Sequence, residues 1–158
     1  MKIVEVKEVE MPKITVLGMR KKGKYDAIGC MIPELCGFAA AKGIAIAGPP
    51  AFVCHELTPE EATKANANGT ADLEVVVPVG KKTRGKGDIK CYALPGGKMA
   101  RIVHEGAYKD VGGAYMKLFE WVGQNGKTVS GPIREVYLNE PGKVPEEKLI
   151  TEIYAPID

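Results

Sequence analysis

Apolar and polar side chains alternate along Ile3-Val4-Glu5-Val6-Lys7-Glu8-Val9, and a β-rich run follows at Lys13-Ile14-Thr15-Val16-Leu17-Gly18-Met19 after Pro12, which predicts two strands. A helical pattern over residues 27–42 ends at Gly43, with Pro33 inside it, so that helix is kinked or begins late. A strand over 51–56 comes next. Thr58-Pro59-Glu60-Glu61 then carries the cap, Pro-first and third-position Glu pattern of a short helical turn. Residues 72–79 read as a strand and the Lys/Gly-rich stretch 80–88 as a linker. Strands are predicted again at 89–94 and 99–104 around a turn at Gly96-Gly97. From Asp110 to Gln124, Val111, Tyr115, Leu118, Phe119 and Val122 fall on one helical stripe facing a sheet. Strands at 133–138 and 150–155 complete the pattern.

The chain repeats itself. With an offset of 83, Tyr25-Asp26-Ala27-Ile28-Gly29 overlies Tyr108-Lys109-Asp110-Val111-Gly112, and Gly48-Pro49 overlies Gly131-Pro132. After a five-residue slip, Leu73–Val79 falls on Thr151–Ile157. The expected architecture is α+β: a duplicated strand-helix-strand-strand module, preceded in each half by a further strand. Its antiparallel sheet carries two helices on one face, a central cleft and a pseudo-twofold axis. One domain over 1–158 would comprise repeats at about 1–79 and 89–158.

The halves differ in chemistry. Glu135-x-Tyr137 and Glu152-x-Tyr154 stand where the first half has Phe52-x-Cys54 and Glu74-x-Val76. Strand parity separates Thr151, Ile153, Ala155 and Ile157 from Ile150, Glu152, Tyr154 and Pro156, and Arg134, Val136 and Leu138 from Ile133, Glu135 and Tyr137. If the aliphatic sets face the helices, then Glu135, Tyr137, Glu152 and Tyr154 share one uncovered face, with Phe52 and Trp121 as neighbours. Carboxylates beside aromatic rings suit an apolar cation. Two close carboxyls in such a place would raise each other's pKa.

Composition narrows the class. Twenty-two Lys and Arg against 20 Asp and Glu give a net charge of +2, without the dense basic face that direct nucleic-acid binding needs. The start lacks an apolar signal core and no segment approaches 18 apolar residues, so a cytoplasmic location without membrane insertion is expected. Cys30, Cys36, Cys54 and Cys91 lack zinc spacing and are expected as buried free thiols. No metal or cofactor is expected. His55 and His104 read as packed or surface residues, not haem ligands.

Ala100-Arg101-Ile102-Val103-His104-Glu105-Gly106-Ala107-Tyr108, Leu118-Phe119-Glu120-Trp121, Gly131-Pro132-Ile133-Arg134-Glu135-Val136-Tyr137 and Leu149–Ile157 together resemble the GyrI-like effector-binding domain, the ligand-binding module of multidrug-sensing transcription regulators and of gyrase-inhibitor-like proteins. The resemblance spans nearly the full chain. It implies a cleft that binds lipophilic, often cationic, small molecules, and it points to Glu135, Tyr137, Glu152, Tyr154 and Trp121. Regulators of the family carry a separate DNA-binding region for which the two repeats leave no room, so a stand-alone binding module is expected.

Two other functions use the same residues or none of them. A hydrolase of strained electrophiles would employ Glu135 and Glu152 as its acid-base pair. An inhibitor of a DNA topoisomerase would act through loops on a protein partner. A homo-oligomer is compatible with each of these.

Overall fold

The computed structural model describes residues 2–3 and 5–158, with Lys2 and Ile3 described by their backbone. Val4, inside the first predicted strand, lies outside the described residues. The elements in chain order are β1 (Lys2–Ile3), β2 (Lys7–Met11), β3 (Ile14–Gly23), α1 (Ile28–Ala41), β4 (Ala51–Cys54), α2 (Pro59–Asn68), β5 (Ala71–Pro78), β6 (Ile89–Leu94), β7 (Gly97–Glu105), α3 (Gly112–Gln124), β8 (Ile133–Tyr137) and β9 (Ile150–Pro156). The fold class is α+β, as the hydrophobic pattern implies. Among the described residues no helix is long and apolar enough to cross a membrane.

Two compact units divide the chain: Lys13–Pro95, and Gly96–Asp158 together with Met1–Pro12. In the first, antiparallel pairing gives the strand order β4-β5-β3-β6. In the second the order is β8-β9-β7, with β1 and β2 both paired to β7. The repeated core is therefore β3-α1-β4-β5 in one unit and β7-α3-β8-β9 in the other. These unit boundaries differ from the repeat boundaries read in the sequence. Residues 89–94 pair with β3 and close the first unit, while the N-terminal strands join the second. Periodicity locates strands, but only hydrogen-bond pairing assigns them to a sheet.

Local chemistry explains the helices. The Thr58 hydroxyl accepts from the Glu61 amide at 3.1 Å, Pro59 takes the first turn, and Gly69 ends α2 at φ +67°. The result is a ten-residue helix, longer than the single turn expected and a third helix beside the two foreseen. α1 begins at Ile28 and runs through Pro33, so it does not start late. Its buried stripe is Met31, Leu35 and Ala39. The buried stripe of α3 is Ala114, Leu118 and Val122, which leaves Tyr115 and Phe119 on its flank. Leu17, Leu73, Val75 and Val77 fill the core of the first unit; Met99, Ile102, Ile133 and Ile153 fill that of the second, each at most 1% exposed.

Of the four thiols only Cys54 is buried; Cys36 and Cys91 are half-buried and Cys30 is exposed. The expectation of four buried cysteines is thus corrected. Cys30 falls outside the Met31-Leu35-Ala39 stripe of α1, on its solvent side.

Candidate functional site

In the unit holding β7, β8 and β9, residues directly opposite each other on antiparallel strands share a face. The rows on one face are Ile102-Ile153-Glu135 and His104-Thr151-Tyr137. On the other face lie Arg101-Tyr154-Arg134 and Val103-Glu152-Val136. The first face is the one that α3 covers: Tyr115 of α3 bonds Glu135 on it, and Ala100, Ile102 and His104 are fully buried, whereas Arg101 and Val103, which alternate with them, are not.

The sequence expectation of a single four-residue trough is therefore corrected. Glu135 and Tyr137 lie on the α3 side, and Glu152 and Tyr154 on the opposite side. The error came from β8, where Ile133 and Val136 balance the two parity sets, so that hydrophobicity cannot decide which set faces the helix. Pairing decides it. Ile133 is 1% exposed, and its set includes Glu135.

Glu135 is held by two tyrosines, and a third packs on one of them. The Tyr115 hydroxyl, from α3, donates to Oε2, and the Tyr137 hydroxyl donates to Oε1 at 3.0 Å. Tyr108, from the turn before α3, packs its ring on Tyr137 with centroids 5.2 Å apart. Burial pushes the Glu135 carboxyl above the ordinary carboxylate range, partly offset by the two hydroxyl donors. Burial, then the Glu135 charge, pushes the Tyr108 hydroxyl upward as well. The result is a half-buried acid rimmed by aromatic rings, one of which, Tyr108, is 36% exposed.

On the opposite face, Arg101 donates to Glu152 and, at 3.2 Å, to the Tyr154 hydroxyl, while Tyr154 donates to Glu152 at 2.9 Å. This is a closed triad, and Glu152 spends its charge on an internal guanidinium. Trp121 stands about 240° around α3 from Tyr115, on a different side of the helix.

The other unit has its own arrangement. Phe52 is buried and stands edge-on to Tyr25 at 6.0 Å, while Tyr25 donates to Glu56 at 2.7 Å. Tyr25 is the repeat counterpart of Tyr108. Phe52 thus occupies the position of Glu135 without its charge, and Cys54 that of Tyr137. Glu74, counterpart of Glu152, accepts from Tyr92 at 2.6 Å and lies 2.7 Å from Nε2 of His55. Tyr92 reaches it by lying across Gly18, where a Cβ would sit 2.1 Å from the Tyr92 oxygen. Beside them Arg20 makes a two-point contact with Asp72 at 2.8 and 2.6 Å, which holds the Asp72 carboxyl down.

Tyr115 and Tyr108 were missed as site residues. Tyr115 reads as part of an apolar stripe, and Tyr108 as a loop residue within the repeat. Among the described residues no cluster of three or more His, Cys, Asp or Glu has the arrangement to hold a metal ion.

The fold is similar to solved structures at low identity. The EcmrR C-terminal domain superposes with a TM-score of 0.84 at 22% identity, over 98% of this chain and 97% of that one. The EcmrR chain in its DNA complex superposes equally well at 20% identity, and this chain spans 57% of its length. A hydrolase from Listeria innocua gives 0.73 at 14% identity, covering 98% and 92%. SAV2435 bound to tetraphenylphosphonium gives 0.61 at 16%, covering 98% and 94%. No curated protein matches the chain. Residues 4–158 match the family described as GyrI-like small molecule binding domain, and with nearly its whole length inside that match the chain belongs to this family.

Proposed function

We propose that the chain is an effector-binding module that captures a lipophilic organic cation against Glu135, with Tyr108, Tyr115 and Tyr137 as walls. The observation that carries the reading is a partly buried carboxyl whose two oxygens are each met by a tyrosine hydroxyl. Those donors already occupy the carboxylate, so an incoming ligand gains most from charge and ring contact rather than from new hydrogen bonds. SAV2435, of similar fold, was solved with a lipophilic cation, tetraphenylphosphonium, bound. In this reading Glu152 and Tyr154 act with Arg101 as a structural triad, and Phe52 and Trp121 contribute packing. Displacement of a fluorescent dye by cationic, neutral and anionic lipophiles of matched size tests the proposal. Cations should compete best, and equal competition by neutral compounds would remove the role of the carboxyl.

A hydrolytic reading is favoured by one observation, burial that pushes the Glu135 carboxyl above the ordinary carboxylate range, the direction a general acid needs. One structure of similar fold is described as a hydrolase from Listeria innocua. Turnover of a strained alkylating compound, abolished by Glu135→Gln, is the expected result under this reading. Cation binding without turnover would discard it.

A further inference from the structure

Two buried atoms near Glu135 have no hydrogen-bond partner among the described residues: Nδ1 of His104 and the hydroxyl of Thr151. Both residues are fully buried. They are directly paired across β7 and β9, so their side chains stand side by side on the α3 face. Nε2 of His104 lies 3.0 Å from the Ala107 carbonyl oxygen, which can only accept, so Nε2 carries the proton and Nδ1 presents a lone pair in the neutral ring. The Thr151 hydroxyl can donate and accept. Buried polar atoms are seldom left unmatched, because an orphan loses the hydrogen bonds it would make to water.

The other unit provides an internal control. Its corresponding pair, Lys21 and Leu73, occupies the same register on β3 and β5 and offers no such polar couple. There Phe52 replaces Glu135 and Cys54 replaces Tyr137. The His104-Thr151 couple thus occurs in the unit that has the carboxyl and not in the one that lacks it. Thr151 also lies diagonal to Glu135, two residues along β9 from its partner Ile153, within reach of a long side chain or a small bridging molecule.

We propose that one buried water bridges Nδ1 of His104 and Oγ1 of Thr151, donating to the nitrogen and accepting from the hydroxyl, and that this hydrated pair is a positioning element for the Glu135 carboxyl. A water so placed has the two or more polar partners that retain one inside a protein, and its second hydrogen is free for the acid. The inference rests on the geometry of the strands and not on the ligand, so failure to bind any cation leaves it standing.

A high-resolution crystal structure of the full chain should show one ordered water within about 3.2 Å of both atoms. Nitrogen NMR should find His104 protonated on Nε2 alone. Carboxyl NMR should place the Glu135 titration midpoint higher in Thr151→Val, where the hydrating partner is lost, and return it in Thr151→Ser. A direct His104-Thr151 hydrogen bond with no water, or an unmoved midpoint in a folded Thr151→Val, overturns the proposal. If Thr151→Val does not fold, the wild-type map and the Thr151→Ser midpoint decide it.

Discussion

The hydroxyl of Tyr115 on α3 donates to Glu135 on β8, tying the helix to the acid that the sheet presents to it. Helix position and carboxyl chemistry are thereby linked. Tyr115→Phe keeps the ring and removes the donor, so the Glu135 titration midpoint should rise further. Stability near neutral pH should fall by about 1–3 kcal/mol, the effect of stripping a hydrogen bond from a buried charged group. Carboxyl NMR and denaturant unfolding check both effects, and a lowered midpoint would contradict the assignment.

The pH dependence has a definite sign. Burial, against the pull of the two tyrosine donors, holds Glu135 above its ordinary 4.5. Between the unfolded and folded values the folded chain binds more protons. The contribution of this group to stability is therefore complete below the unfolded value and is lost as pH rises through the folded one. Glu135→Gln should consequently be relatively more stable than wild type above that window, as unfolding across a pH series will show. Capture of a cation favours the ionised form. It should release a proton and weaken as pH falls, which calorimetry in buffers of different ionisation enthalpy will detect.

Much of this was legible in the sequence, and the limits are instructive. The helices and most strands follow from periodicity and caps, and Leu118 and Val122 are buried as the stripe predicts. Glu135 and Tyr137 stood out because the repeat lacks them. What the sequence could not supply was the face of β8, since five residues with Ile133 on one side and Val136 on the other give no majority. Nor did Tyr115 betray its role, because a tyrosine on an apolar stripe reads as core until a carboxyl is found opposite. The Arg101 partner of Glu152 was equally hidden, as it sits on a strand 51 residues away.

Arg101 and Glu152 should matter to stability and not to cation binding. Their side chains are 28% and 17% exposed, and either Arg101→Met or Glu152→Gln leaves a partly buried charge with fewer partners. A loss of about 1–3 kcal/mol in chemical denaturation is expected, with affinity for tetraphenylphosphonium unchanged. A large affinity loss with little change in stability would restore Glu152 to the ligand site.

Gly18 is required by Tyr92 more than by its own backbone. Gly18→Ala would push the Tyr92 ring from its place and take its hydroxyl off Glu74, which is only 6% exposed. The substitution should destabilise the chain by a few kcal/mol, on the order of overpacking in a core. In a Tyr92→Ala background it should cost far less, and a double-mutant cycle measures the difference.

The central claim is that Glu135, and not Glu152, is the charge partner of a lipophilic cation. Calorimetric titration of the full chain with tetraphenylphosphonium, comparing wild type with Glu135→Gln and Glu152→Gln, tests it most directly. The account predicts at least a tenfold loss of affinity in the first variant, equivalent to about 1.4 kcal/mol, and near-wild-type binding in the second. Equal binding by wild type and Glu135→Gln, or a loss confined to Glu152→Gln, would contradict it.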